Sequence, residues 1–169
     1  MKVQAPADTI NIRYGLPADR RWVRHIESAC FGRSRVWFGL WRRVGASDTF
    51  TYLLEVSGTP AGYLIAYLNE LDDQQQMYVG GMGILPAYRQ HSLGRRLLEA
   101  LLTLHPSFWL HVRAGNQAAL HIYRSLGMLE QQRILSFYHN GDDALVMVTP
   151  SLWPALRQNV LLRSAYEAG

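Results

Sequence analysis

Two stretches of the chain place polar and basic residues at spacings that can do chemistry. The first is Ile84-Leu85-Pro86-Ala87-Tyr88-Arg89-Gln90-His91-Ser92-Leu93-Gly94-Arg95-Arg96-Leu97-Leu98. An apolar strand runs into a polar turn, and the turn opens an amphipathic helix. The start of such a helix carries unpaired backbone N–H groups and the positive end of the helix dipole, which together favour an anion. Arg89, Arg95 and Arg96 crowd positive charge around that turn, as ligand contacts or as a solvated helix start. The ligand this suits is a phosphate or pyrophosphate held mainly by backbone. No Gly-Lys-Ser/Thr follows, so the turn is not a P-loop, and the G-x-G-x-x-G spacing of a dinucleotide fingerprint is absent. The second stretch is Asn116-Gln117-Ala118-Ala119-Leu120-His121-Ile122-Tyr123-Arg124-Ser125-Leu126-Gly127-Met128. Asn116 is a good helix N-cap. Tyr123 follows about two turns later, so the two residues project from one helix face. Tyr123 taken alone reads as an amphipathic core tyrosine, and its company is what lifts it out of that reading.

The first stretch resembles the coenzyme A pyrophosphate loop of the GNAT superfamily of N-acetyltransferases, Arg/Gln-x-x-Gly-x-Gly/Ala. Here it reads Arg89-Gln90-His91-Ser92-Leu93-Gly94, with Ser92 where the family usually has glycine. The second is similar to the family's Asn-x-x-Ala-x-x-x-Tyr-x-x-x-Gly-Phe, with Met128 in place of the final Phe. The resemblance implies acetyl-CoA as cosubstrate, contacted by Arg89, Gln90, His91, Ser92, Leu93, Gly94 and Arg95 and by Asn116. It implies that Tyr123 protonates or hydrogen-bonds the departing thiolate. An amine then attacks the thioester. The amine must be neutral, the tetrahedral oxyanion needs a donor, and the thiolate needs a proton. Backbone N–H groups near Met82, Gly83 and Ile84 suit the oxyanion and the pantetheine amides.

A base is also needed. His111 occupies the position of a Glu assigned as base in ribosomal-protein-alanine N-acetyltransferases (RimI type), and an unperturbed imidazole pKa of ~6.5 suits that work. A satisfied histidine on a half-buried strand is the equal alternative. Phe137-Tyr138-His139-Asn140-Gly141-Asp142-Asp143-Ala144-Leu145-Val146-Met147 resembles the Tyr-Tyr…Asp-Ala…Met signature of the same group, and Val112-Arg113-Ala114-Gly115-Asn116 its Val-Arg-x-x-Asn. This resemblance implies a protein or peptide N-terminal α-amine as acceptor, held in part by Tyr138, which otherwise reads as a strand-end packing residue. The rival readings are the same chemistry on a small amine or antibiotic, and a GNAT-like domain that binds coenzyme A without turnover. No His/Cys/Asp/Glu set has metal-ligand spacing, so no metal is expected.

The elements that must carry these residues are legible in outline. Ile10–Tyr14 alternates as a first strand. Pro17 opens a helix with Trp22, Val23, Ile26 and Ala29/Cys30 on one face. Trp37, Trp41 and Val44 predict a second helix over 36–44. Residues 49–56 and 61–68 read as a hairpin about the turn Ser57–Pro60. Residues 77–85 form the next strand, whose Gly80, Gly81 and Gly83 mark a bulge or a close approach by ligand. A helix runs to about Leu104, with Leu93, Leu97, Leu101 and Leu104 inward. Strand 108–113, helix 116–126 stopped by Gly127, and strands 132–138 and 144–148 complete the order β-α-α-β-β-β-α-β-α-β-β. The expectation is one α/β domain over 1–169 with the GNAT fold, a mixed central sheet of about seven strands flanked by helices. An extra C-terminal helix over 151–169 is expected to cap the core, to make a homodimer contact or to line the acceptor site.

The totals agree with such a domain. Of 169 residues, 49% are hydrophobic, enough for a substantial core and against disorder. The net charge of +4, nearly all from arginine, suits a polyanionic partner. Its dispersal along the chain argues against a nucleic-acid tail. Met1–Pro6 offers no apolar run that could serve as a signal peptide, and no segment approaches ~20 apolar residues, so neither a leader nor a membrane span is expected. Cys30 is the only cysteine, so no internal disulfide forms. A cytoplasmic protein with a buried structural thiol is the expectation.

Overall fold

The structure, a computed structural model, describes residues 9–32, 39–71, 74–89 and 91–152. They fall into two compact units, one ending at Leu104 and the other beginning at His105. The described residues carry seven strands and three α-helices, the α/β class expected.

In the first unit, β1 (Ile10–Tyr14), β2 (Thr49–Val56), β3 (Thr59–Leu71) and β4 (Gln74–Ile84) pair in succession, each antiparallel to the next. The β2–β3 turn is made by Ser57 and Gly58, both at positive φ (48° and 79°). That matches the tight hairpin turn whose twist suits antiparallel strands, so Thr59 and Pro60 already belong to β3. On β4 the register with β3 steps from Ile65↔Gly81 to Ala66↔Val79, leaving Gly80 as an extra residue. This is the bulge that glycine inside a strand suggested.

Helix α1 (Arg20–Phe31) follows a 3-10 turn at Pro17–Asp19. It buries Val23 and Ile26 in a cluster with Val44, Leu53, Tyr63 and Ile65. Arg13 ties this start together, bonding Asp19 at 2.7 Å and Glu55 at 2.9 Å. Helix α2 (Leu93–Leu104) buries Leu93, Gly94, Leu97, Leu98 and Leu101 and contacts β2, β3 and β4. Leu104 is 53% exposed rather than inward, because it is the last helical residue and its turn is not covered.

In the second unit, β7 (Ala144–Val148) pairs antiparallel with both β5 (Phe108–Arg113) and β6 (Leu129–Ile134) and is buried throughout. Helix α3 (Gln117–Ser125) follows β5.

Two element expectations change, and a third lies outside the described residues. Over 36–44 the described part is a 3-10 turn at Leu40–Arg43. Gly39 (φ 137°) and Gly45 (φ 83°) bracket it and leave no room for an α-helix; residues 36–38, with Trp37, lie outside the described residues. The strand expected at 132–138 is instead β6 at Leu129–Ile134. Ser136 at φ 51° breaks the extension, and the Asp143 carboxylate holds that turn by accepting from the Ser136 N–H at 2.9 Å and the Arg133 side chain at 2.8 Å. Beyond Leu152, the expected C-terminal helix lies outside the described residues.

Candidate active site

In the first unit β4 ends at Ile84, a 3-10 turn spans Pro86–Tyr88, and α2 begins at Leu93. Ser92 stands between them at φ +56°, a conformation that costs an L-residue but not glycine. The glycine usual at this position in the resembled loop thus has a conformational reason, and the serine holds the same turn at a cost. Its carbonyl accepts from the Arg96 N–H at 3.1 Å, which starts the helix. Leu93 and Gly94 are buried, so what they can offer a ligand is backbone, whereas His91 and Ser92 are exposed. Gln90 lies outside the described residues. The arginines are partly engaged: Arg89 Nε donates to the Ile84 carbonyl at 3.1 Å, and Arg95 Nε meets Glu99 at 2.7 Å one turn along α2. Met82 and Ile84 are half-buried and Gly83 buried. Burial raises the pKa of the nearby Cys30 thiol against a smaller opposing pull from Arg89. The thiol therefore stays protonated, as a structural cysteine would.

In the second unit Asn116 is the cap of α3, its Oδ1 accepting from the Ala119 N–H at 3.2 Å. Its Nδ2 group carries the donors a ligand carbonyl would use. Tyr123 is 7% exposed, and burial pushes its hydroxyl up to about 12. It stays protonated across the neutral range and can only donate or hold its proton.

His111 is also 7% exposed on β5, and burial pushes its imidazole down to about 4. That is below the ordinary range which suggested a base, and the cause is desolvation of the charged form. Phe137 stacks on the His111 ring at 4.5 Å and 18°, and Trp109 meets it edge-on at 5.3 Å. Tyr138 is not a strand end. It is a buried residue of the 135–143 turn, and its N–H donates to the Asp142 carbonyl at 3.0 Å. The Arg113 guanidinium covers its ring at 4.0 Å and donates to Asp142 (2.6 Å) and Asn140 (2.9 Å). His111, Phe137, Tyr138 and Arg113 thus form one aromatic and basic cluster. Among the described residues no group of three or more His, Cys, Asp or Glu could hold a metal, and no helix is long and apolar enough to cross a membrane.

The profile of the Acetyltransferase (GNAT) family matches residues 19–128, which takes in β4, the Ser92 turn, His111, Asn116 and Tyr123. The chain belongs to the GNAT acetyltransferase family. It is therefore an acyltransferase of N-acetyltransferase type with acetyl-CoA as cosubstrate. An N-alpha-acetyltransferase of Sulfurisphaera tokodaii is 26% identical over 113 residues, 59% of this chain and 68% of that protein. The [ribosomal protein bS18]-alanine N-acetyltransferase of Escherichia coli is 38% identical over 73 residues, 38% of this chain and 49% of that protein. Among solved structures, Arabidopsis thaliana NAA60 in complex with a bisubstrate analogue superposes with a TM-score of 0.73 at 18% identity, covering 83% of this chain and 97% of that one. That likeness establishes the GNAT fold.

Sequence reasoning missed the partners that give the named residues their environment. Phe137 and Trp109 around His111 carried no polar signal. Glu27 was hidden because a single carboxyl on a helix reads as surface, yet here it is buried.

Proposed function

We propose that this GNAT protein transfers acetyl from acetyl-CoA to the α-amino group of a protein or peptide N-terminus. The observation that carries this reading is the state of His111. A buried imidazole held down to about 4 is too weak to strip a proton from an ammonium group. Only the neutral fraction of the acceptor can therefore react. A terminal α-amine, with a pKa of ~8, is about a tenth neutral at pH 7, whereas a lysine amine at ~10.4 is well under a thousandth neutral. The α-amine relatives among the curated proteins support the same class of acceptor.

In this reading the pyrophosphate of acetyl-CoA lies on the backbone of the 89–95 turn, with Gln90, His91 and Ser92 around it, and Asn116 contacts the pantetheine arm. N–H groups of Met82–Ile84 hold the pantetheine amides and the carbonyl oxygen. The neutral amine attacks the thioester carbon, and the new C–N bond makes the nitrogen proton acidic. His111 accepts that proton only at this stage, when a weak base is sufficient. The C–S bond breaks, and the Tyr123 O–H donates to the leaving sulfur. The proton taken at His111 passes through water to the Tyr123 oxygen, so the products are amide and coenzyme A thiol and both residues are restored to their neutral forms. Tyr138, fixed by Arg113, contacts the peptide N-terminus. One cysteine, with its thiol half-buried, fits a reducing cytoplasmic setting.

Two measurements test the assignment of parts. Calorimetry with acetyl-CoA and with a dephosphorylated pantetheine analogue should give much tighter binding for acetyl-CoA; equal affinities would remove the pyrophosphate role of the turn. Tyr138→Ala should raise KM for peptide more than KM for acetyl-CoA, and an unchanged peptide KM would return Tyr138 to packing.

A further inference from the structure

Glu27 is a carboxylic acid in a place suited to a hydrocarbon. It lies on the inward face of α1 with 2% exposure, one turn after Val23. Its neighbours on that face belong to the apolar cluster of Ile26, Leu53, Tyr63 and Ile65. The Tyr63 hydroxyl donates to its Oε1 at 3.4 Å, while Oε2 is buried with no hydrogen-bond partner among the described residues. The backbone N–H groups of Gly39 and Trp41 also favour its charged form, against burial. A carboxyl so incompletely compensated costs stability that a leucine would not. Packing alone therefore does not account for the residue type.

What Glu27 holds leads to β4. Tyr63 covers the glycine stretch: a Cβ built on Gly81 would lie 3.4 Å from its hydroxyl, and one on Gly83 would lie 3.0 Å from its ring. Leu40, flanked by Gly39 and Trp41, covers the same stretch, its methyls 2.6 Å from a Cβ on Gly81 and 3.4 Å from one on Gly80. One turn further along α1, the Cys30 thiol donates to the Ile84 carbonyl at 3.2 Å. Glu27 thus holds the Tyr63 hydroxyl directly and the backbone on either side of Leu40, and these are two of the side chains on the bare backbone of the bulged strand, beside Tyr67 at Gly80 and Cys30 and Ile26 at Gly83.

We infer that Glu27 is a positioning residue for acyl transfer: it seats Tyr63 and Leu40 against Gly80–Gly83 and so fixes the strand that presents the oxyanion donors. The inference rests on the assignment of Met82–Ile84 to the thioester end of acetyl-CoA. It has a readout independent of that assignment, because Glu27 should also order the two backbone segments it grips.

The experiment compares the full chain with Glu27→Leu, Glu27→Gln and Tyr63→Phe. Glu27→Leu should fold at least as stably as the wild type, yet lose about ten- to a hundredfold in kcat, the scale of a small misplacement at a reacting centre. KM for acetyl-CoA should stay within about twofold. Glu27→Gln, which keeps an acceptor oxygen, should recover part of the rate. Tyr63→Phe removes only a hydroxyl and should move kcat in the same direction by less. Amide exchange at residues 39–41 and 80–84 should quicken in Glu27→Leu and not elsewhere. Unchanged kcat and unchanged exchange in Glu27→Leu would overturn the inference, as would a rate loss that merely tracks lost folded protein. A wild type that transfers no acetyl would instead defeat the proposed function, with the exchange readout still deciding the role of Glu27.

Discussion

Tyr123 and His111 are both buried, and burial drives their pKa values apart, one up to about 12 and the other down to about 4. At neutral pH each is therefore uncharged, one a proton holder and the other a weak proton acceptor. Tyr123→Phe should lower kcat by ~10²–10⁴ while leaving acetyl-CoA affinity nearly unchanged, because the hydroxyl acts on the leaving sulfur rather than on the bound ground state. Steady-state kinetics with calorimetry checks this, and an unaltered kcat in a folded variant would make Tyr123 a core residue. For His111 the pH–rate profile is the discriminating readout. The limb seen between pH 6 and 8 should belong to the acceptor amine and persist in His111→Gln, which turns over more slowly. Loss of a limb near 6.5 in that variant would mean that the bound complex restores an ordinary imidazole.

At the scale of elements, the Ser92 turn is where local strain and ligand geometry meet. The positive φ of Ser92 costs about 1 kcal/mol or more relative to glycine, partly offset by the greater freedom glycine has when unfolded. Ser92→Gly should therefore leave stability level or raise it by up to about 1 kcal/mol in urea unfolding. It should also bind acetyl-CoA at least as tightly by calorimetry. Ser92→Val, β-branched in a left-handed position, should lose on both counts.

What was legible at this scale had strong local causes. Alternation and the Ser57-Gly58 turn announced the β2–β3 hairpin, and the glycines of β4 announced its bulge. Asn116 and Gly127 bounded α3 to within a residue. What was not legible depended on distant partners. The apolar spacing of Trp41 and Val44 looks helical, but both pack on α1 and β3 from a 3-10 turn and its cap set between two glycines. The end of β6 is not legible because Tyr138 looks like a strand residue, and only its bond to Asp142 and its cover by Arg113 show that it belongs to a turn. The site residues themselves are named by the resemblance of their motifs to the GNAT family. Their protonation states are not, because those follow from Phe137, Trp109 and the surrounding core.

At the scale of the whole molecule, two buried groups give stability an unusual pH dependence. The unfolded chain protonates His111 below about 6.5 and the folded chain resists until about 4. The stability held above pH 6.5 is thus lost as pH falls towards 4, on the order of 3 kcal/mol. Glu27 runs the other way. Its folded carboxyl keeps its proton up to about 7, against 4.5 unfolded, so its contribution is present below 4.5 and lost as pH rises through 7. Urea unfolding at pH 7 and 4.5 should therefore show Glu27→Gln gaining most at pH 7. His111→Gln should remove much of the acid-side loss. Equal responses of both variants at the two pH values would contradict these assignments.

The central claim, acetyl transfer to an N-terminal α-amine, is tested most directly by one substrate that offers both amines. A peptide with a free N-terminus and an internal lysine is incubated with the protein and acetyl-CoA at pH 7, and fragment-ion mass spectrometry locates the acetyl group. Acetyl on the N-terminus, abolished when that terminus is blocked and strongly reduced by Tyr123→Phe, is the predicted result. Acetyl on lysine alone, or no peptide product while small amines are acetylated, would contradict it.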